Sequence, residues 1–170
     1  MAPFKNALEW LLEWATILLM VGLTVIVVVA VIFRLMGQSF SWYDEVAVVC
    51  LAWVTYYGAA LAAVKRRHIG FDSVLLALPP GLRLAAALFA EAVTLGFFAL
   101  LAWAGVRVLQ VLAGDTLVSL DWVPVQLTQS VIPVGAVLFI LAQLLSMPEY
   151  LRAVRAGVSL EHAEIEETAR

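Results

Sequence analysis

Apolar positions fall into four long runs, 14–33, 46–64, 84–106 and 122–147, separated by short polar segments. Together they take 88 of 170 residues and hold one formal charge, Glu91. A bilayer core is crossed by roughly 20 apolar residues in a helix. With no water there to satisfy backbone N–H and C=O groups, each run is expected to be helical. The pattern predicts an all-α membrane protein with four transmembrane helices over 14–147.

The polar segments add detail. Lys5, Glu9 and Glu13 recur every four residues, with Phe4, Leu8, Leu11 and Leu12 on the opposite face. This predicts an amphipathic interfacial helix over 1–13 leading into the first span. Before the second span, Ser41-Trp42-Tyr43-Asp44 fits a capping box, with Glu45 in the first turn. After it, Lys65, Arg66 and Arg67 form a basic cluster suited to anionic headgroups and to fixing topology. His68 beside them fits a headgroup-facing or capping role. Asp72 and Ser73 are placed to cap a short helix over 74–78, ended by Pro79-Pro80-Gly81. Such a helix is too short to cross and reads as an interfacial elbow. In the fourth span Pro133 removes the hydrogen bond to the Gln129 carbonyl and predicts a bend. Gln126, Thr128, Gln129 and Ser130 make the outer half of that span polar, so it should face protein. Residues 148–170 form a tail rich in glutamate.

Composition agrees with a membrane domain. Hydrophobic residues are 64% and charged residues 14%, and mean hydropathy is +1.00. The single cysteine, Cys50, cannot form an internal disulfide or a CxxC pair. The two histidines, His68 and His162, lie outside the spans, which argues against haem held between helices. There is no phosphate-binding loop, nucleophile elbow or metal-ligand motif, so no enzyme, cofactor or nucleic-acid partner is expected. The first apolar run is long, is preceded by Glu9 and Glu13, and lacks a small-residue cleavage site after it. It is expected to be retained as a span rather than cleaved as a signal peptide.

Charge asymmetry orients the chain. Lys5, Lys65, Arg66, Arg67, Arg83, Arg152, Arg155 and Arg170 fall on one side, and only Arg34 and Arg107 on the other. The eight-to-two bias predicts both termini in the cytoplasm. Trp10, Trp14, Trp42, Tyr43, Trp122 and Tyr150 near the span ends suit the headgroup zone. Small residues four apart, Gly58/Ala62, Ala59/Ala63, Ala86/Ala90 and Ala92/Gly96, predict close helix packing. Glu91 lies about two turns from the inner end of its span, roughly 10 Å deep. An intramembrane carboxylate is a functional candidate by default; this one is also within reach of the basic cluster at the same end.

Several of these residues carry a resemblance. Phe33-Arg34, Trp42-Tyr43-Asp44-Glu45, Trp53, Gly58-Ala59-Ala60, Arg67-His68-Ile69-Gly70-Phe71-Asp72, Leu78-Pro79, Ser119-Leu120-Asp121-Trp122-Val123-Pro124 and Ile132-Pro133-Val134-Gly135 occur in that order. In this the chain resembles the small, Q-type (DctQ-like) membrane subunit of tripartite ATP-independent periplasmic (TRAP) transporters, over about residues 33–138. Asp44-Glu45 stands where the family often has two glutamates, and Phe71 where valine is usual.

The resemblance implies a scaffold subunit in the bacterial inner membrane. It would work with a large multi-span subunit that holds substrate and sodium sites. A periplasmic solute-binding protein would deliver an organic acid, and the ion gradient would drive uptake. Trp42, Asp44, Glu45, Trp53, Gly58, Arg67, His68, Asp72, Glu91 and Pro133 are then candidate partner-interface or structural residues. Lys65, Arg66 and Arg67 are candidate lipid-headgroup or topology anchors. The alternative is a stand-alone four-span proton-coupled exporter, with Glu91 as its coupling group.

Overall fold

The computed structural model describes residues 2–66, 75 and 77–157. Five helices are named here: α1 (Ala2–Leu35), α2 (Tyr43–Val64), α3 (Pro80–Val111), α4 (Val125–Gln129) and α5 (Val131–Ala156). Four stretches, Pro3–Leu35, Tyr43–Val64, Pro80–Val111 and Val125–Ala156, are long and apolar enough to cross a membrane. The expected all-helical membrane fold is thus present.

The helices form a row and not a closed ring. α1 packs chiefly on α2, α2 on α5, and α5 on α3. The central position belongs to α4–α5: 44% of its most apolar window is buried inside the chain, against 6% for α1. Sequence explains this. Gly135, Phe139, Ala142 and Ser146 recur at three- and four-residue steps and form one buried face of α5. Ala60, Ala63 and Val64 meet it from α2, and Ala87 and Glu91 are buried on α3. Phe98 of α3 stacks on Phe139, with centroids 3.6 Å apart and planes at 8°. At one end, which we call the basic end, α1 joins through Leu8 and Leu12, which are buried beside Ala60, Ala63 and Phe139. The remaining apolar faces, including Leu18, Val25 and Ile32 of α1, are exposed.

Several local expectations are corrected. α1 runs unbroken through residues 13 and 14, so residues 4–13 are the first turns of the spanning helix and not a separate element. Burial of Leu8 and Leu12, and ion pairs from Glu9 and Glu13 to Lys65 at 3.4 and 3.7 Å, continue the α1–α2 contact to its end. The N-cap of α2 is Trp42, in αR conformation and without a side-chain cap bond, so the Ser41 capping box does not form. Phe33, Phe40 and Trp42 instead contact one another in sequence as tilted pairs, with centroids 4.7 and 5.6 Å apart, just before the helix.

Pro133 interrupts the span where the lost bond to the Gln129 carbonyl predicts it: α4 ends at Gln129, Ser130 lies between the two helices, and Pro133 becomes the third residue of α5, where an absent N–H has no intrahelical partner to lose. The helix of the fourth span extends beyond Met147: α5 continues past Pro148 to Ala156, where Gly157 caps it with φ 73°. Beyond the proline, Glu149 pairs with Lys5, and the Tyr150 ring lies under the Arg66 guanidinium. α3 begins at Pro80, whose fixed φ suits a first helical position. Arg67, His68, Asp72 and, of the predicted elbow over 74–78, residues 74 and 76 lie outside the described residues.

Of the small-residue pairs, Ala63 is fully buried, but Ala90, Ala92 and Gly96 are exposed. The close approaches occur elsewhere. A Cβ on Gly105 would lie 2.8 Å from Pro133 Cδ, and one on Gly135 would lie 2.6 Å from Tyr56 Cβ. Both glycines let backbones meet where any side chain would collide.

Candidate functional site

The buried polar chemistry at the basic end is one cluster. Val64 ends α2, Lys65 is its C-cap, and Arg66 follows with φ 52°. That position usually takes glycine, and a non-glycine residue there costs about 1–2 kcal/mol. The conformation turns the Arg66 side chain back into the bundle. Its Nε donates to Ser146 Oγ at 2.7 Å and its Nη2 to the Gln143 carbonyl at 3.1 Å. Its Nη1 forms an ion pair with Glu91 Oε1. The Tyr150 ring centroid is 4.5 Å from the guanidinium carbon.

Glu91 is 5% exposed, and its second oxygen accepts from Gln143 Nε2 at 2.8 Å. Both carboxylate oxygens are therefore engaged. Ser146 Oγ has the carbonyls of Ala63, Ala142 and Gln143 within 3.0–3.1 Å to receive its single proton. Three spanning helices, α2, α3 and α5, thus converge on one guanidinium. Arginine suits this better than lysine, because its planar fork places several donors at once. A charge pair in such a place is tolerable only when its hydrogen-bonding capacity is met, and here it is.

Arg66 thus directs its guanidinium into the bundle. Lys65 also directs its charge inward along the chain, to Glu9 and Glu13. The sequence marks Glu91 and places Arg66 among three basic groups able to reach it. It does not single out Gln143 and Ser146, although two polar residues three apart on the face of Phe139 and Ala142 were the available signal.

The opposite, far end has separate ties. Between α3 and α4 the chain turns through Gly114 (φ 96°) and pairs Thr116 with Pro124. Leu117 N–H donates to the Val123 carbonyl at 3.0 Å, leaving residues 118–122 as the tip. Glu45, in the first turn of α2, receives the N–H groups of Val118 and Ser119, each at 2.9 Å, and the Ser119 hydroxyl. Trp53 Nε1 donates to the Thr128 carbonyl at 3.1 Å. Gln126 Nε2 donates to the Leu109 carbonyl at 2.9 Å, near the end of α3, where carbonyls lack helical partners. Between the tip, α2 and α4 lies an apolar pocket of about 390 Å³, lined by Val46, Trp53, Leu120, Trp122 and Leu127 among others.

Of the other predicted residues, Trp42 packs on Phe40 and Asp44 is exposed. Pro133 is buried against Gly105. Gly58 is half-buried, with nothing within 4 Å of where a Cβ would sit. Among the described residues, no group of three or more His, Cys, Asp or Glu is placed to hold a metal ion.

Four membrane-length helices with a polar cluster joining three of them define a multi-pass helical membrane protein. Comparison with known families then places it. The family model for the DctQ component of tripartite ATP-independent periplasmic transporters matches residues 23–153, so the chain belongs to that family and is a transporter component. None of the curated proteins compared matches it.

Proposed function

We propose that this chain is the non-transporting scaffold subunit of a sodium-driven, binding-protein-dependent importer of an organic acid. In this reading it sits in the bacterial inner membrane with both termini cytoplasmic, so the basic end faces the cytosol and the far end the periplasm. A large membrane subunit carries the substrate and sodium sites. Lys65, Arg66, Arg67 and Arg83 lie toward the basic end in sequence, which supports the orientation.

One observation carries the proposal. Glu91, the single formal charge within the four apolar runs, has both oxygens engaged by Arg66 and Gln143. A coupling carboxylate must exchange protons or ions during transport. One that joins three helices through a buried ion pair is suited to holding them still. The exporter alternative needs Glu91 to be available, and this geometry argues against it. The exposed apolar faces of α1 and α3 and the open space at Gly58 leave surface for lipid and the large subunit.

Reconstitution tests the proposal. Proteoliposomes holding this chain alone should show no sodium-dependent uptake from a panel of radiolabelled carboxylates. Adding the large subunit and the solute-binding protein should produce it. Sodium-coupled uptake by the single chain would contradict the scaffold role.

A further inference from the structure

We propose that Glu45 is a positioning residue for docking of the solute-binding protein. Its carboxylate fixes the tip of the loop between α3 and α4 so that Val118 stands out toward that partner. This rests on the functional reading above, in which the far end faces the periplasm.

The first support is the bonding. One carboxylate takes two successive backbone N–H groups and a hydroxyl from the tip. Hydrogen bonds to a charged acceptor are the stronger kind. Among the described residues this is the hydrogen-bonded link between the tip and α2.

The second support is what lies beneath. The tip does not rest on a solid core, because Leu117, Leu120 and Trp122 line the apolar pocket of about 390 Å³ that opens to the surface. Side chains bordering open space have fewer packing partners on that side. Packing alone therefore constrains the tip weakly, and the Glu45 bonds supply much of what holds it.

The third support is what the tip displays. Val118 is 97% exposed and Trp122 77% exposed. Around them Asp44, Asp115 and Asp121 are exposed and acidic. An apolar centre with a polar rim is the usual anatomy of a protein interface. Charge complementarity points to a partner presenting a small apolar patch rimmed by Lys or Arg. A loop held beforehand in its docking conformation avoids the ordering cost at contact.

The test uses the complex of this chain with its large subunit in lipid nanodiscs, titrated with fluorescently labelled solute-binding protein. Glu45→Gln keeps the side chain's size but removes the charge and turns an N–H₂ toward donors. It should raise the half-saturating concentration about tenfold, with the same plateau and the same yield of complex. Val118→Asp should do likewise. The double variant should be little worse than the weaker-binding single variant, because both changes act through one loop. Independent factors that multiply would overturn the positioning role, leaving Glu45 a separate contact. Loss of complex yield in either variant would also overturn it, assigning the tip to the large subunit. Failure of the wild-type complex to bind the protein at all would instead overturn the functional reading, and this proposal with it.

Discussion

The basic end and the far end are joined by different kinds of bond. At the basic end Arg66, Glu91, Gln143 and Ser146 link three spanning helices inside the bundle, and each of the three guanidinium nitrogens has an acceptor. At the far end Glu45, Trp53 and Gln126 make separate ties that reach to loop or helix-end backbone. The first arrangement fixes helices against one another. The second fixes connecting segments on helices already placed. A scaffold needs the first to be rigid, whereas an exposed surface that meets a soluble partner can be held by the second.

The largest effect should come from breaking the basic-end cluster. Arg66→Leu leaves the Glu91 carboxylate buried without its cation, a loss of about 3–5 kcal/mol for such pairs. Yield of folded chain and of complex should fall severely, by detergent-stable size-exclusion chromatography. Arg66→Lys should recover only part, because an ammonium cannot reproduce the fork. Full recovery by lysine would mean that charge alone matters there.

A second class of change tests the close approaches between helices. Gly135→Ala places a Cβ against Tyr56, and Gly105→Ala one against Pro133. Each should cost about 1–3 kcal/mol by overpacking, seen as a lower melting temperature. Gly58→Ala meets nothing within 4 Å in this chain and should leave the isolated subunit unchanged. If Gly58→Ala lowers the yield of complex alone, that face belongs to the partner.

Far-end ties should matter less to stability. Trp53→Phe removes the indole donor to the Thr128 carbonyl and should cost about 0.5–1.5 kcal/mol. A loss as large as that of Arg66→Leu would erase the contrast between the two ends. The smallest effect on stability is expected from labelling variants that assign the ends to sides. In a Cys50→Ser background, a cysteine at Ser39 should react with an impermeant thiol reagent from outside, and one at Ala156 should not. The reverse pattern would invert the orientation.

Much of the fold was legible because hydropathy is a direct physical demand of the bilayer, and all four spans follow from it. In the polar outer half of the fourth span, Thr128 is buried and Gln126 bonds to α3, while Leu127 stays exposed. Helix ends were less legible. The Ser41 capping box failed because α2 takes Trp42, which packs on Phe40, as its N-cap. Pro133 marked the turn at which the fourth span is interrupted, but not that Ser130 would end one helix and open the next.

At the candidate site, Glu91 was conspicuous as the lone charge in an apolar run, and its depth pointed to the basic cluster. Which of Lys65, Arg66 and Arg67 would reach it depended on a left-handed backbone at Arg66, which no local pattern announces. Glu45 meets Val118 and Ser119 across more than 70 residues of sequence. Its neighbours in sequence offered a sufficient capping explanation, so the longer contact stayed hidden. Gly105 and Gly135 belong to no four-residue pair, and only the packing shows their importance.

The central claim is that Glu91 holds helices together and does not couple transport to an ion. Glu91→Gln separates the two, since glutamine keeps the shape and some hydrogen bonds while removing the charge. The decisive quantity is sodium-driven uptake by the reconstituted three-component system, normalised to assembled complex. Substantial uptake per complex, with any loss appearing as reduced yield, is the predicted result. A fully assembled Glu91→Gln complex that transports nothing would contradict the structural role and restore Glu91 as a coupling group.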